Sequence, residues 1–215
     1  MLTTILFDLD GTLIDTMDLI VACFQHATNS HCGAPIPREQ VLPTIGLPLL
    51  EVLEAYAPGQ GPLLYHAYQE YNRVWHDRLA RLVPGTPAML ARLHGAGVAL
   101  GLVTAKRHRS LRMGLDLFGL GPYLDVVIGF EDSAHHKPHP EPVLRGLERL
   151  GRAPDPRTVA YIGDAVSDMA CARAAGVCPV GVPWGATPAA ELAAAGADPV
   201  LATWDDLITL ALEVS

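Results

Sequence analysis

The chain opens with an apolar strand that delivers two aspartates: Thr3-Thr4-Ile5-Leu6-Phe7-Asp8-Leu9-Asp10-Gly11-Thr12. Alternation with a period of two points Asp8 and Asp10 the same way at the carboxyl end of that strand. Two like charges held close repel, so the arrangement is unfavourable unless a cation or a substrate uses it. Gly11 then frees the backbone to turn sharply or to approach a ligand. One carboxylate of such a pair can act as nucleophile and the other as acid and base, with magnesium holding both against their repulsion. The competing reading is a strand end with two solvated acids.

Three later segments complement the pair. Val98-Ala99-Leu100-Gly101-Leu102-Val103-Thr104-Ala105-Lys106 is a buried-type strand ending in a hydroxyl. Ala134-His135-His136-Lys137-Pro138-His139-Pro140-Glu141-Pro142 sets a lysine in a proline-stiffened loop before a helix. Val159-Ala160-Tyr161-Ile162-Gly163-Asp164-Ala165-Val166-Ser167-Asp168 is another apolar strand, ending in Gly-Asp with a second Asp four residues on. Taken singly, these are a strand-end Thr, a surface Lys and a capping Asp. Their order and their places at strand ends are what make them specific.

The elements that must position these groups are legible in the periodicity. A helix is expected from an N-cap at Asp15 to about Ser30, a short one over Leu49 to Tyr56, and a long one from about Leu63 to Arg81. The apolar face of the long helix is Leu64, Tyr68, Tyr71, Trp75 and Leu79. Residues 15–83 thus form an all-helical insertion. From Thr86 the pattern alternates. Helices are expected over Thr86–Gly95, His108–Phe118, Pro140–Leu150, Ser167–Ala175, Pro188–Ala195 and Trp204–Leu212. Strands are expected over Val98–Thr104, Asp125–Ile128, Val159–Gly163, Val177–Val182 and a short Pro199–Leu201. Such alternation argues an α/β fold with a parallel sheet covered by helices, which binds ligands beyond the carboxyl ends of its strands.

With these motifs in place the chain resembles the haloacid dehalogenase-like hydrolase superfamily over nearly its whole length. The four motifs match at Asp8-Leu9-Asp10-Gly11-Thr12, at Thr104, at Lys137, and at Gly163-Asp164 with Asp168. The dehalogenases that name the superfamily lack the second aspartate, here Asp10, so the resemblance is to its phosphatase branch. It implies a Rossmann-like catalytic core over residues 1–14 and 84–215 and a helical cap over residues 15–83.

For the site, the resemblance implies Asp8 as nucleophile and Asp10 as acid and base. It implies magnesium (Mg2+) on a side-chain oxygen of Asp8, the backbone carbonyl of Asp10, and Asp164, with Asp168 acting on the metal through water or by orienting its ligands. Thr104 and the amide of Ala105 would bind phosphoryl oxygens, and Lys137 would offset charge on Asp8 and the phosphoryl group. Gly46 and the polar face around Asn72 and His76 are the cap candidates for substrate contact. Lys106 and Arg107 read equally well as anion attractors or as solvated helix-start charges. His135 and His136 are adjacent, so their side chains diverge and they read as part of a solvent-facing loop.

The segments Arg38–Leu49 and Glu70–Asp77 are similar to the bacterial inorganic pyrophosphatase branch, with phosphoglycolate phosphatase next. A beta-phosphoglucomutase-like enzyme and a non-catalytic binding protein on the same fold are the remaining alternatives.

Composition narrows the partners. The chain has 215 residues, half of them hydrophobic, and a formal net charge of -8. That balance opposes a nucleic-acid partner, because phosphate backbones call for a basic stripe. A small phosphorylated molecule can still be held locally by a lysine, backbone amides and a metal. Cys23, Cys32, Cys171 and Cys178 form no CxxC pair and no zinc spacing, as expected of reduced thiols in a cytoplasmic protein. The first strand begins almost at Met1, leaving no room for a signal peptide, and no apolar run reaches the ~20 residues that span a bilayer. A monomer or a homodimer is expected.

Overall fold

The computed structural model describes residues 1–212. Its main sheet has five strands, all parallel: β1 (Thr4–Phe7), β4 (Ala99–Val103), β5 (Val126–Ile128), β6 (Val159–Gly163) and β7 (Cys178–Gly181), in the order β5-β4-β1-β6-β7. A separate antiparallel ribbon joins β2 (Ile14–Asp15) to β3 (Arg81–Leu82). The helices are α1 (Met17–Cys32), α2 (Arg38–Val41), α3 (Leu49–Tyr56), α4 (Gly61–Leu79), α5 (Thr86–Gly95), α6 (His108–Phe118), α7 (Glu141–Leu150), α8 (Val166–Ala175), α9 (Ala189–Ala194) and α10 (Trp204–Leu212). The expected α/β Rossmann-like sheet is therefore present, with β1 at its centre.

Both faces of the sheet are covered, which is why its strands read as continuous apolar runs. Ile5 and Phe7 of β1 turn towards Met89, Leu90 and Leu93 of α5 and Trp204 and Leu207 of α10. Leu6 turns the other way, into a second cluster with Val143 and Leu147 of α7 and Cys171 and Ala172 of α8. The period-two alternation of one strand thus feeds two cores. All four cysteines are free thiols. Among the described residues no helix is long and apolar enough to cross a membrane.

The helices inserted after β2 pack on one another: α4 lies along α1 and also meets α3 and α6. Leu64 is fully buried in that packing, and Phe24 of α1 meets Tyr68 of α4 edge to face at 5.3 Å. The insertion is helical, but its two ends are not. The long helix stops at Leu79 rather than Arg81, because Ala80 turns extended and Arg81–Leu82 pair with Ile14–Asp15. Asp15 is not the N-cap; it lies in β2 and its carboxylate accepts the Met17 N–H at 3.2 Å, while Thr16 takes the cap position. Two-residue strands carry no readable alternation, so this ribbon is invisible in sequence. At the far edge, Pro199–Leu201 reduces to a single bridge between Gly181 and Val200.

Truncating Leu64 to Ala is expected to cost about 2–5 kcal/mol of unfolding free energy, because the helices around it can collapse only partly into the space left. Urea denaturation of wild type and variant measures it; a loss under about 0.5 kcal/mol would mean that α4 is not held by this packing.

Candidate active site

Strands β1, β4 and β6 are neighbours, so the residues at their carboxyl ends converge. Asp8 follows β1, Thr104 follows β4 and Asp164 follows β6, and Asp8, Asp164 and Lys137 are all nearly or fully buried. Gly11 is required by this closeness. Its φ is 76°, and a Cβ there would run into the Asp164 carboxylate.

Lys137 arrives on the loop before α7 and lies between two acids. Its Nζ donates to Asp168 Oδ1 at 2.6 Å. It also lies 3.1 Å from Asp8 Oδ1, close enough for an ion pair but off the line of a hydrogen bond, so that Oδ1 has no hydrogen-bond partner. Both oxygens of Asp168 are engaged by protein donors, Lys137 on Oδ1 and the Ala165 N–H on Oδ2 at 3.0 Å; the Tyr161 hydroxyl lies 3.1 Å from Oδ1 and nearer, at 2.8 Å, to the Val103 carbonyl. Asp164 accepts from Thr12 Oγ1 at 3.1 Å and from the Ala186 N–H at 2.7 Å.

The electrostatics follow from burial. Desolvation raises the Asp8 carboxyl to about 6, against the pull of Lys137 and with help from Asp168 and Asp10. Desolvation also raises Asp164 well above the usual carboxylate range, reinforced by Asp168 and Asp8. Burial works to lower Lys137, but Asp168 and Asp8 outweigh it and hold the ammonium charged. One oxygen from each of Asp8, Asp164 and Asp168 falls within 4.8 Å of the others. Three close, buried carboxylates with an unpartnered oxygen fit a hard divalent cation, which takes oxygen ligands.

The remaining residues line a cavity of about 110 Å³ between the sheet end and the inserted helices. Asp10, Thr104, Ala105, Gly46 and Asn72 are all on its wall. Asp10 is fixed on one oxygen by Thr16 Oγ1 at 2.7 Å and Lys106 Nζ at 2.6 Å. Gly46 has a φ of 89° and brings its turn against the core: a Cβ there would lie 3.0 Å from Ser167 Oγ. Asn72 reaches towards Cys23 Sγ at 3.8 Å. The opposite wall is apolar, including Ile20, Phe24, Val52 and Tyr68.

His76 is the correction. It is fully buried but is not on the cavity wall; its Nδ1 lies 2.8 Å from Asp77 Oδ1, and its ring packs beside Gly114 of α6. Asn72 and His76 share a face of α4, but one turn further on that face meets α6 rather than the cavity. Sequence reasoning left Lys106 open and passed over Tyr161. The spacing Thr104-x-Lys106 was a usable signal for the first. Nothing beside Tyr161 marked its hydroxyl as reaching between the Val103 carbonyl and the Asp168 carboxylate.

The fold and these strand-end groups together define a hydrolase class, and the chain belongs to the haloacid dehalogenase-like hydrolase family, whose model matches residues 5–182. A relative from Caldanaerobacter subterraneus, provisionally named a pyrophosphatase (PpaX), is 40% identical over 188 residues, covering 87% of this chain and 84% of its own. The pyrophosphatase PpaX of Bacillus velezensis is 38% identical over 206 residues, covering 96% of this chain and 94% of its own. Among solved structures, a protein of Bacteroides fragilis provisionally named a haloacid dehalogenase-like hydrolase superposes with a TM-score of 0.88 at 31% identity, covering 96% of this chain and all of that one. The chain is a phosphatase of this family.

The raised carboxyls set the sign of a pH effect. Below the usual 3.8, Asp8 is protonated folded and unfolded alike and contributes nothing. As pH rises towards about 6 the unfolded chain ionises first, so the metal-free fold loses stability, and the loss is complete above that value. Asp164 acts in the same direction. Metal-free wild type is therefore expected to melt at a lower temperature at about pH 7.5 than at about pH 5 on account of these groups, and Asp164→Asn should shrink that difference. Added magnesium should raise the wild-type Tm and leave that of Asp164→Asn nearly unmoved. Equal magnesium responses in calorimetry would remove Asp164 from the cation site.

Proposed function

We propose that the chain is a magnesium-dependent phosphatase that hydrolyses inorganic pyrophosphate by way of an aspartyl-phosphate on Asp8. Asp8 attacks phosphorus and the bond to the leaving oxygen breaks; a water then cleaves the acyl phosphate. Asp10 gives a proton to the leaving oxygen and later takes one from that water, and its bonds to Thr16 and Lys106 fix the carboxyl for both uses. Lys137 offers its charge to the phosphoryl oxygens and is held for this by Asp168. Thr104 and the Ala105 amide receive those oxygens in this reading, which their place on the cavity wall supports. Asp8, Asp164 and the Asp10 carbonyl would hold magnesium. Asp168, with both oxygens occupied by protein donors, serves as the anchor of Lys137. When bound, magnesium supplies charge neutralisation among these acids and on the phosphoryl group. The apolar cavity wall excludes water, which strengthens each of these charges.

The observation that favours an anionic leaving group is Lys106 beside Asp10, with Arg107 on the wall of the same cavity. Lys106 and Arg107 both line the cavity, with Arg107 seated over the Phe130 ring at 4.7 Å. Such neighbours suit a leaving group that keeps negative charge, as phosphate and the carboxylate of glycolate both do, over an uncharged alcohol; of the two, pyrophosphate is favoured by the similarity to a named pyrophosphatase. Similarity to the Bacillus velezensis enzyme over nearly the whole of both chains supports the same reading.

Asp8→Asn is expected to lower kcat by about three orders of magnitude or more with an unchanged circular dichroism spectrum, since the amide keeps the shape but not the nucleophile. Activity near wild type, in a preparation free of other phosphatases, would take Asp8 out of this role.

The substrate is tested separately. The kcat/KM for pyrophosphate is expected to exceed that for phosphoglycolate, and the reverse order would overturn the substrate while leaving the phosphatase. Lys106→Met should lower kcat/KM for pyrophosphate roughly tenfold more than for p-nitrophenyl phosphate, as a lost charged hydrogen bond predicts. Equal losses on both would leave Lys106 only the role of holding Asp10.

A further inference from the structure

Two imidazoles and a carboxylate meet on the loop that carries Lys137. One ligand atom from each of His135, His139 and Glu141 lies within 4.8 Å of the others, and the two imidazole rings stack at 4.5 Å. Adjacency in sequence separates His135 from His136, which turns away to stack on Phe130 at 3.9 Å. It is the fold of the loop that sets His139 beside His135.

The hydrogen bonds around the cluster fix where the proton of each ring lies. His135 Nδ1 lies 2.8 Å from Glu141 Oε2, so in the neutral ring Nδ1 carries the proton and Nε2 the lone pair. His139 Nδ1 accepts the Glu141 N–H at 3.2 Å, a long contact that engages its lone pair and that an ion at Nδ1 would displace. Glu141 is itself held in place by the N–H groups of Ala134 and His135, at 3.1 and 3.0 Å. An ion bound by both groups would take the place of the proton between His135 Nδ1 and Glu141 Oε2, since metal binding releases the ligand's proton. Both histidines are exposed, so an ion has a path to them. The neighbouring charge that opposes a cation is Arg145, whose Nε lies 3.6 Å from Glu141 Oε1.

We propose that His135, His139 and Glu141 form a second metal site, distinct from the all-carboxylate cluster at Asp8, that takes a borderline transition metal such as Zn2+. The chemistry separates the two sites. Imidazole donors suit zinc, cobalt and nickel, whereas an all-oxygen set suits magnesium. Three protein ligands leave a fourth tetrahedral position to water. The ligands flank Lys137 on both sides in sequence, so an ion there restrains the segment that presents Lys137 to Asp8 and Asp168.

The full chain, saturated with magnesium, is titrated with Zn2+ in a calorimeter and with Co2+ by visible absorption. Wild type is expected to bind one ion per chain at this site. The His135→Ala/His139→Ala double variant should bind it at least about tenfold more weakly, with magnesium-dependent phosphate release unchanged. Asp164→Asn should keep the zinc site, which separates it from the carboxylate cluster and makes the result independent of the catalytic reading. A variant-free arm follows the carbethoxylation of each histidine by mass spectrometry, with Zn2+ expected to protect His135 and His139 but not His31. Equal zinc binding by wild type and the double variant, no zinc binding by wild type under saturating magnesium, or no selective protection would each overturn the proposal.

Discussion

Three carboxylates and one ammonium share a small buried volume at the end of the central strands. Asp8, Asp164 and Asp168 bring three potential negative charges against the single positive charge of Lys137. Asp168 directs its oxygens to Lys137 and the start of α8, which leaves Asp8 and Asp164 under-compensated. Desolvation without enough counter-charge is what lifts both of their carboxyls. An excess of buried negative charge is destabilising in the isolated fold and becomes favourable when a divalent cation and an anionic substrate arrive together. The core around it is organised to tolerate this. Glycine at position 11 allows the close approach to Asp164, and apolar clusters on both sheet faces hold the strand ends in place.

The inserted helices touch this cluster through few but specific groups. Thr16, just before α1, and Lys106, just beyond β4, bind the same oxygen of Asp10, so one carboxylate ties together the start of the insertion and the sheet. The turn at Gly46 comes within contact distance of Ser167, close to the loop that carries Asp164. The β2–β3 ribbon brings both connections of the insertion side by side, beside the turn that holds Asp10. A cavity wall made partly of sheet-end residues and partly of helices suits a reaction in which the charged groups stay fixed and the substrate's remainder is read from above.

Composition and periodicity alone determined a great deal here. Buried parallel strands are written as short runs of apolar residues, and β1, β4 and β6 were legible for that reason. Because ligands meet such sheets at the carboxyl ends, the order of motifs in the chain also placed Asp8, Thr104 and Asp164 together. Ala105 came from the family resemblance and Gly46 and Asn72 were only candidates for substrate contact; it is the fold that sets all three on the cavity wall. What sequence could not carry was anything that depends on which two elements touch. His76 and Asn72 share a helix face, yet α6 covers one and the cavity opens on the other. The ribbon at residues 14–15 and 81–82 is too short to show a pattern. Lys106 read equally well as an anion attractor or a solvated charge until the fold set Asp10 at 2.6 Å, and His139 gained a partner in His135 only through the path of its loop. Local propensity and periodicity are properties of a segment, and they fix the elements and the residue types at strand ends. Hydrogen bonds and burial between distant segments are properties of the packed whole, and those decided which acids are paired, which are left short of charge, and which polar face is covered.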